Sequence, residues 1–457
     1  VQDQFRVTSA LTLNLGMRYE FTDLQQPGTP NPLVPQTTTI REPRKNFSPR
    51  FGLAYAFPDQ KTVVRGGYGI FYARIPGALL QNLYFNNGVY QPQLTLNGSV
   101  AADLALGPAF PNVMSGLPTG RNLGAVDVQY AASDFRQPYT QQADIAIERQ
   151  LSDNLGFTAS YLWSRGIGLF TSRDNNVGAL GPDVTYRIND TSGNQVGSYT
   201  TPTYRLANRV DTRFRRLIQV ENGGQSWYSG LVLQLRKRMS HGLEGSVAYT
   251  WSHAIDTAMQ GGGTNALFFD QIRSTFNGDY SMDKASSQLD QRHRVVISSI
   301  WAPDFTKSNS GLSRWLLKSW QLSQITTMAS SQPATPTIFV SGAPFSGAAF
   351  NTSLNGLGGS NRVPFLPINS LDIDQTFRVD ARLTKVLPFS ERVQVYLNLE
   401  AFNAFNTQYN TFVNVEAYRL AGGVLTPSSG LGNGNASQGF PDGTNARRLQ
   451  VSARVTF

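Results

Sequence analysis

Arg448-Leu449-Gln450-Val451-Ser452-Ala453-Arg454-Val455-Thr456-Phe457 ends the chain, and its reading decides the fold. Leu449, Val451, Ala453, Val455 and Phe457 are apolar, and the residues between them are polar. A period of two sends the two sets to opposite faces of a β-strand. The pattern runs into the last residue, where soluble domains tend to fray. An ordinary edge strand would carry the same alternation, so the rest of the chain must choose the solvent on each face.

The 457 residues include 39 Lys and Arg against 30 Asp and Glu, so 39 − 30 = +9. Cysteine is absent, which excludes disulfide frameworks, thiolate metal sites and cysteine nucleophiles. The mean hydropathy of −0.27 and the lack of any apolar run near 20 residues exclude spanning helices. A membrane β-barrel survives that test, because its apolar and polar residues alternate.

Alternating segments of bilayer-crossing length recur at 1–7, 10–21, 47–57, 61–72, 141–151, 155–164, 226–238, 242–251, 291–301, 319–330, 375–387, 391–406 and 447–457. In 10–21, Leu11, Leu13, Leu15, Met17, Tyr19 and Phe21 share one face. In 391–406, Val393, Val395, Leu397, Leu399 and Ala401 oppose Gln394, Tyr396, Asn398 and Glu400. Short links rich in turn residues (Pro58-Asp59-Gln60, Ser152-Asp153-Asn154, Ser240-His241, Pro388-Phe389-Ser390) alternate with long ones at 22–46, 73–140, 165–225, 252–290, 331–374 and 407–446. The link 302–318, with Trp315-Leu316-Leu317, is a longer connection on the short side. A barrel spanning a membrane puts tight turns on one rim and long loops on the other. Aromatic residues gather near strand ends, among them Tyr19, Phe57, Tyr72, Trp163, Trp251, Trp301 and Trp320, as headgroup-level belts require. The reading is all-β: one antiparallel transmembrane β-barrel domain over 1–457, with a wet lumen and an apolar outer wall.

Several stretches resemble the barrel of TonB-dependent outer-membrane receptors, especially the Oar-like group. They are Phe47-Ser48-Pro49-Arg50-Phe51-Gly52-Leu53-Ala54-Tyr55, Arg65-Gly66-Gly67-Tyr68-Gly69-Ile70-Phe71-Tyr72, Gln234-Leu235-Arg236-Lys237-Arg238 and Tyr249-Thr250-Trp251-Ser252-His253-Ala254. Asp290-Gln291-Arg292-His293-Arg294, Glu400-Ala401-Phe402-Asn403-Ala404-Phe405-Asn406 and the final Phe457 complete the set. The resemblance implies a barrel of about 22 strands around a plug domain. It also implies import of a scarce solute with energy relayed by TonB, ExbB and ExbD. Val455 and Phe457 would form the signal read by the barrel assembly machinery. With 13 segments and no plug, signal peptide or TonB box, the chain is expected to be the C-terminal part of such a barrel. Its sheet is expected to stay incompletely closed, with 1–7 and 447–457 as edges; a smaller closed barrel is the alternative.

Arg378, Asp380, Arg382, Asn398, Glu400, Arg448 and Arg454 fall on the polar parity and should line the lumen. Folding the hairpin about residue 389 sets Arg378 against Glu400, Asp380 against Asn398 and Arg382 against Tyr396. A structural wall ladder explains this set better than direct solute contact. Among the long loops, Tyr84, Phe85, Asn86, Asn87, Tyr90, Gln91 and Tyr418 combine stacking faces with amides, as large polar ligands favour, and Asn410, Asn433 and Asn435 add more amides. Arg209, Asp211, Arg213, Arg215 and Arg216 are the densest charged group, suited to lipopolysaccharide phosphates or to a solvated loop face.

The three histidines, His241, His253 and His293, lack metal-site spacing, and His253 with Asp256 reads better as a polar pair at a loop base. No Gly-x-Ser-x-Gly elbow and no phosphate loop occur, and Gly261-Gly262-Gly263 and Gly358-Gly359 read as flexible turns. Arginine spread over strands argues against nucleic acid. No enzyme activity, metal or cofactor is expected. The functional expectation is an outer-membrane receptor importing a glycan fragment or metal chelate, in contact with lipid and lipopolysaccharide. A surface adhesion barrel and a passive porin are the competing classes.

Overall fold

The computed structural model describes residues 1–90, 105, 107–109, 111–114, 126–257, 274–306, 310–358, 361–388, 393–435 and 446–457. Thirteen strands follow one another around a single antiparallel sheet: β1 (Gln2–Arg6), β2 (Leu11–Glu20), β3 (Asn46–Ala56), β4 (Thr62–Tyr72), β5 (Tyr139–Ser152), β6 (Leu155–Asp174), β7 (Phe214–Ser240), β8 (Leu243–Thr257), β9 (His293–Trp301), β10 (Trp320–Ala329), β11 (Thr376–Pro388), β12 (Gln394–Phe402) and β13 (Arg448–Thr456). Each pairs only with its neighbours in this path, apart from two additions on the loop side. β1 and β13 are the two ends of the sheet and do not pair with each other, so it stays open.

Consecutive antiparallel pairing puts alternate connections on opposite rims. All six long connections therefore leave from one rim. Along β13 the apolar residues stand in the open, with Leu449 68% and Val451 79% accessible, and Leu397 on β12 is 42% accessible. Partners in register keep this parity across the wall. Leu399 faces Val451, Val247 faces Ile297, Ile145 faces Tyr161 and Leu13 faces Leu53. The outer face is thus a mainly apolar surface, interrupted at Ser299, Gln324 and Thr326, of the kind that hydrocarbon covers. Rings meet near both rims, Tyr19 with Phe47 (4.9 Å) and Tyr72 with Tyr139 (5.3 Å) on the loop side, and Tyr55 with Phe57 (5.1 Å) on the turn side.

The protein's closed hydrophobic cores lie in the long connections. One joins Leu24, Ile40, Ile75, Leu79, Leu83, Phe135, Phe170 and Val220; another joins Tyr186, Ile338, Leu354, Val363, Leu420 and Leu425. Here the structure corrects the sequence reading, which treated these stretches as irregular loops. Residues 165–174 and 214–225 continue β6 and β7 above the wall, and Val126–Ala131 adds a parallel strand to β7. Glycine permits the ribbon to be overlaid. A Cβ on Gly223 would collide with the Tyr280 ring. Five further strands from three connections (Gly181–Asn189, Gln195–Thr203, Thr337–Val340, Glu416–Ala421 and Val424–Pro427) form a small separate sheet. Among the described residues, α-helices form at Gly77–Phe85 in the connection after β4 and at Gly311–Leu316 in the link 302–319.

An arginine at Leu397 or Val451 would have to sit in the bilayer. L397R and V451R are expected to lower folding stability in a bilayer by about 2–4 kcal/mol near the midplane, and by less toward either rim. Q450R, on the polar parity and exposed, is expected to change it little; refolding titrations into lipid vesicles read the difference.

Candidate functional site

Two polar regions can meet a solute, the inward face of the wall and the cap of long connections above it. The inward face carries a hollow of about 580 Å³ on strands β7 to β12. Gln234, Arg236, Glu244, Asp380, Arg382 and Glu400 give it charge and amide groups, and Ile300, Ile325 and Phe402 give it apolar floor. Every one of these side chains belongs to the polar parity, so the alternation that oils the outer wall also builds the hollow.

The hairpin of β11 and β12 does not pair as the sequence suggested. Pro388, read as the start of the turn, stays in β11 opposite Gln394, while 389–392 (including Phe389 and Ser390) lie outside the described residues. The hairpin centre moves along the chain, and Glu400 faces Arg382 rather than Arg378. Arg382 Nη2 donates to Glu400 Oε1 at 2.5 Å. Asn398 takes its bond from Thr384 Oγ1 (2.8 Å) and donates to Ser452 Oγ (3.2 Å), joining three strands. Arg378 instead donates through Nε to Asp380 (2.9 Å), whose Oδ1 also accepts from the Asn403 amide (2.8 Å). Arg448 lies over the Phe402 ring at 5.7 Å, and Arg454 faces Tyr396. Val455 and Phe457 are exposed on or beside the edge strand β13.

In the cap, Tyr84 and Phe85 sit in the helix Gly77–Phe85, and Asn86 caps it. Tyr84 OH donates to Gln25 O (2.7 Å), and the Phe85 and Tyr90 rings lie 4.9 Å apart. Asn86 O accepts from the Gln129 amide. Asn87 is buried, its Oδ1 accepting from the amides of Val89 and Tyr90. Tyr418 belongs to the small sheet and meets Phe365 edge-on at 5.6 Å. Gln91, Gly261-Gly262-Gly263, Gly359 and the Asn435 side chain lie outside the described residues.

The arginine group is divided among different partners. Arg215 and Arg216 both donate to Asp127, 88 and 89 residues away, at 2.5 Å each. Arg213 forks onto Asp211 (2.7 Å), and Arg209 is buried. Burial pushes the Asp127 carboxyl up, but the two guanidiniums outweigh it and hold it below the usual carboxylate range. Composition gave no sign of this triad, nor of the buried Arg362–Asp283 pair (3.1 Å) that ties two connections together. In both cases the partners are far apart in sequence. His253 bonds Ser286 (3.2 Å) and lies 4.0 Å from Asp290, which replaces Asp256 as its acidic neighbour; His293 meets Tyr249 OH at 2.8 Å.

The sequence matches the family described as outer membrane beta barrel domain over residues 1–450. Among solved structures, the chain is similar to the outer membrane transporter YddB from Escherichia coli, at 10% identity and a TM-score of 0.50, over 98% of this chain and 43% of YddB. It is similar to the FrpB iron transporter from Neisseria meningitidis (11% identity, TM-score 0.49, 100% of this chain and 44% of FrpB). The siderophore receptor PiuA from Acinetobacter baumannii aligns at 10% identity and a TM-score of 0.45, over 100% of this chain and 42% of PiuA. The chain thus spans less than half the length of these proteins. No curated protein matches it.

The lowered Asp127 carboxyl fixes a pH dependence. A depressed acid stabilises the fold above its unfolded value, near 3.9, and the contribution fades as pH falls through the lower folded value. The protection of the amides at 126–131, corrected for the intrinsic pH dependence of exchange, should therefore hold from neutral pH to about pH 4 and fall below it. Loss of protection already between about pH 6 and 5 would contradict the assignment to Asp127. At the wall, a cycle of R382A and E400A should give a coupling of only about 0.2–1 kcal/mol, because Arg382 is 55% exposed.

Proposed function

We propose a function from the premise that this chain belongs to the outer membrane beta barrel domain family. Its wall lies in the outer membrane of a Gram-negative-type envelope. The protein serves as the barrel of a receptor that captures a large, charged solute at the cell surface and passes it inward along the lumen. A metal chelate is the solute class put first, ahead of a glycan fragment.

One observation carries this reading. All six long connections leave one rim, and the described parts of five of them contribute buried side chains to shared hydrophobic cores. A passive channel needs little more than a wall. A preformed, rigid surface of this size favours selective capture, because the ordering is done before the ligand arrives. The hollow beneath adds Arg236, Glu244, Asp380 and the Arg382–Glu400 ion pair, charges that suit an ionic solute better than a neutral sugar. The charge-paired wall would also guide a plug, and release would draw on TonB, ExbB and ExbD, as the family resemblance implies. On the outer surface the aromatic belts meet lipid and lipopolysaccharide.

Titration of the detergent-solubilised protein with ferric chelates, metal-free chelators and neutral oligosaccharides tests the reading. Saturable binding of a ferric chelate, weakened at least about tenfold, or about 1.4 kcal/mol, when the segment 195–203 is replaced by a short turn, is expected. Saturable oligosaccharide binding with no chelate binding would shift the solute class. Liposomes that swell freely in small sugars, with no saturable ligand, would overturn capture in favour of a porin.

A further inference from the structure

Among the described residues of the cap, Arg209 is a buried charge without a hydrogen bond. Arg209 follows the turn Leu206–Asn208, and its side chain is 3% exposed. Its Nε, Nη1 and Nη2 are all buried without a hydrogen-bond partner. The nearest acid oxygen, Asp174 Oδ2, is 3.9 Å from Nη1 and also lacks a partner. That gap is too long for a hydrogen bond. Asp174 cannot swing closer freely, since its Oδ1 accepts from the amides of Asn176 and Leu217, both at 2.9 Å.

The surroundings do not supply the missing charge. The ionisable groups that bear on Arg209 are Asp174, Asp127, Arg216 and Arg215. With Arg209 itself they count three cations against two anions, 3 − 2 = +1. Asp127 is already taken by Arg215 and Arg216. Phe350 lies under both guanidiniums, 5.1 Å from Arg209 and 5.3 Å from Arg216, and so covers their flat faces only. The in-plane N–H groups, the ones that bind acceptors, meet no acceptor among the described residues. A buried guanidinium with no acceptor is among the costlier arrangements in a folded protein.

We propose that the edge of the Arg209 guanidinium holds a small monovalent inorganic anion of the halide class, which balances this cluster and locks the start of β7 to the end of β6. Burial pushes the Asp174 carboxyl up, so this acid opposes an adjacent anion less than a surface carboxylate would. The ion has a structural role and is independent of the solute that the cap captures.

Crystals of the protein soaked in sodium bromide, together with hydrogen exchange at 214–220 in sodium bromide against sodium gluconate at equal ionic strength, test this. The expected result is an anomalous bromide peak at the Arg209 guanidinium. Opening of 214–220 should slow about tenfold at ten times the bromide dissociation constant. R209M should lose the peak and the bromide effect together, while D174N should keep both, because removing a like charge favours the ion. A site with no bromide peak and equal exchange in the two salts holds water only and overturns the proposal. Should R209M fail to fold, D174N and the unmodified protein decide the matter. A D174N chain that loses the bromide effect would mean that the charged Arg209–Asp174 pair, bridged by water, organises the gap, which also overturns it.

Discussion

In hydrocarbon no water replaces a missing backbone hydrogen bond, so a membrane-crossing strand must pair on both edges and turn its apolar side chains outward. Everything else in this protein follows from that constraint. It makes neighbouring strands antiparallel and places the polar parity on the inside. It also sends every long connection to one rim. Between β1 and β13, each strand interior to the path meets the requirement through its two neighbours.

The wall and the cap are stabilised by different means. The wall buries almost none of its outward residues in protein, so its apolar energy comes from lipid. The cap buries Leu79, Phe135, Val128, Val220, Tyr186 and Leu425 to near completion. It then adds charges paired between segments far apart in sequence, Asp127 with two arginines and Arg362 with Asp283. Cap and wall can therefore respond separately to pH, salt and ligand. The cap loosens when its carboxylates are protonated, and the wall loosens when its lipid is removed.

The wall was almost wholly legible in the sequence, because a period of two is a local signal. All thirteen segments became the thirteen strands in the same order, and the two expected edges are the edges. Errors arose where a residue's local preference misled. Pro388 reads as a turn former yet ends β11 as a strand residue, and this moved the partner of Glu400 from Arg378 to Arg382. The cap was not legible. Thr337–Val340 pairs in parallel with Glu416–Ala421, and Val424–Pro427 with Gly181–Asn189, across separations that no pattern of neighbouring residues encodes. Arg215 and Arg216 stood out as a cluster, but Asp127, which neutralises them, carried no mark of its own. Residues singled out by their type could therefore be placed in the fold, while their partners had to come from the fold itself.

The absence of cysteine makes the central claim directly measurable, since each introduced thiol is the sole labelling site. Nitroxide labels placed one at a time at 448–456 in bilayers report collisions with oxygen, which concentrates in hydrocarbon, and with a water-soluble nickel complex. The account predicts oxygen collisions highest at 449, 451, 453 and 455, with nickel collisions highest at 450, 452 and 454. Oxygen and nickel profiles that rise and fall together, or nickel access greatest at the odd positions, would contradict an outer wall facing lipid.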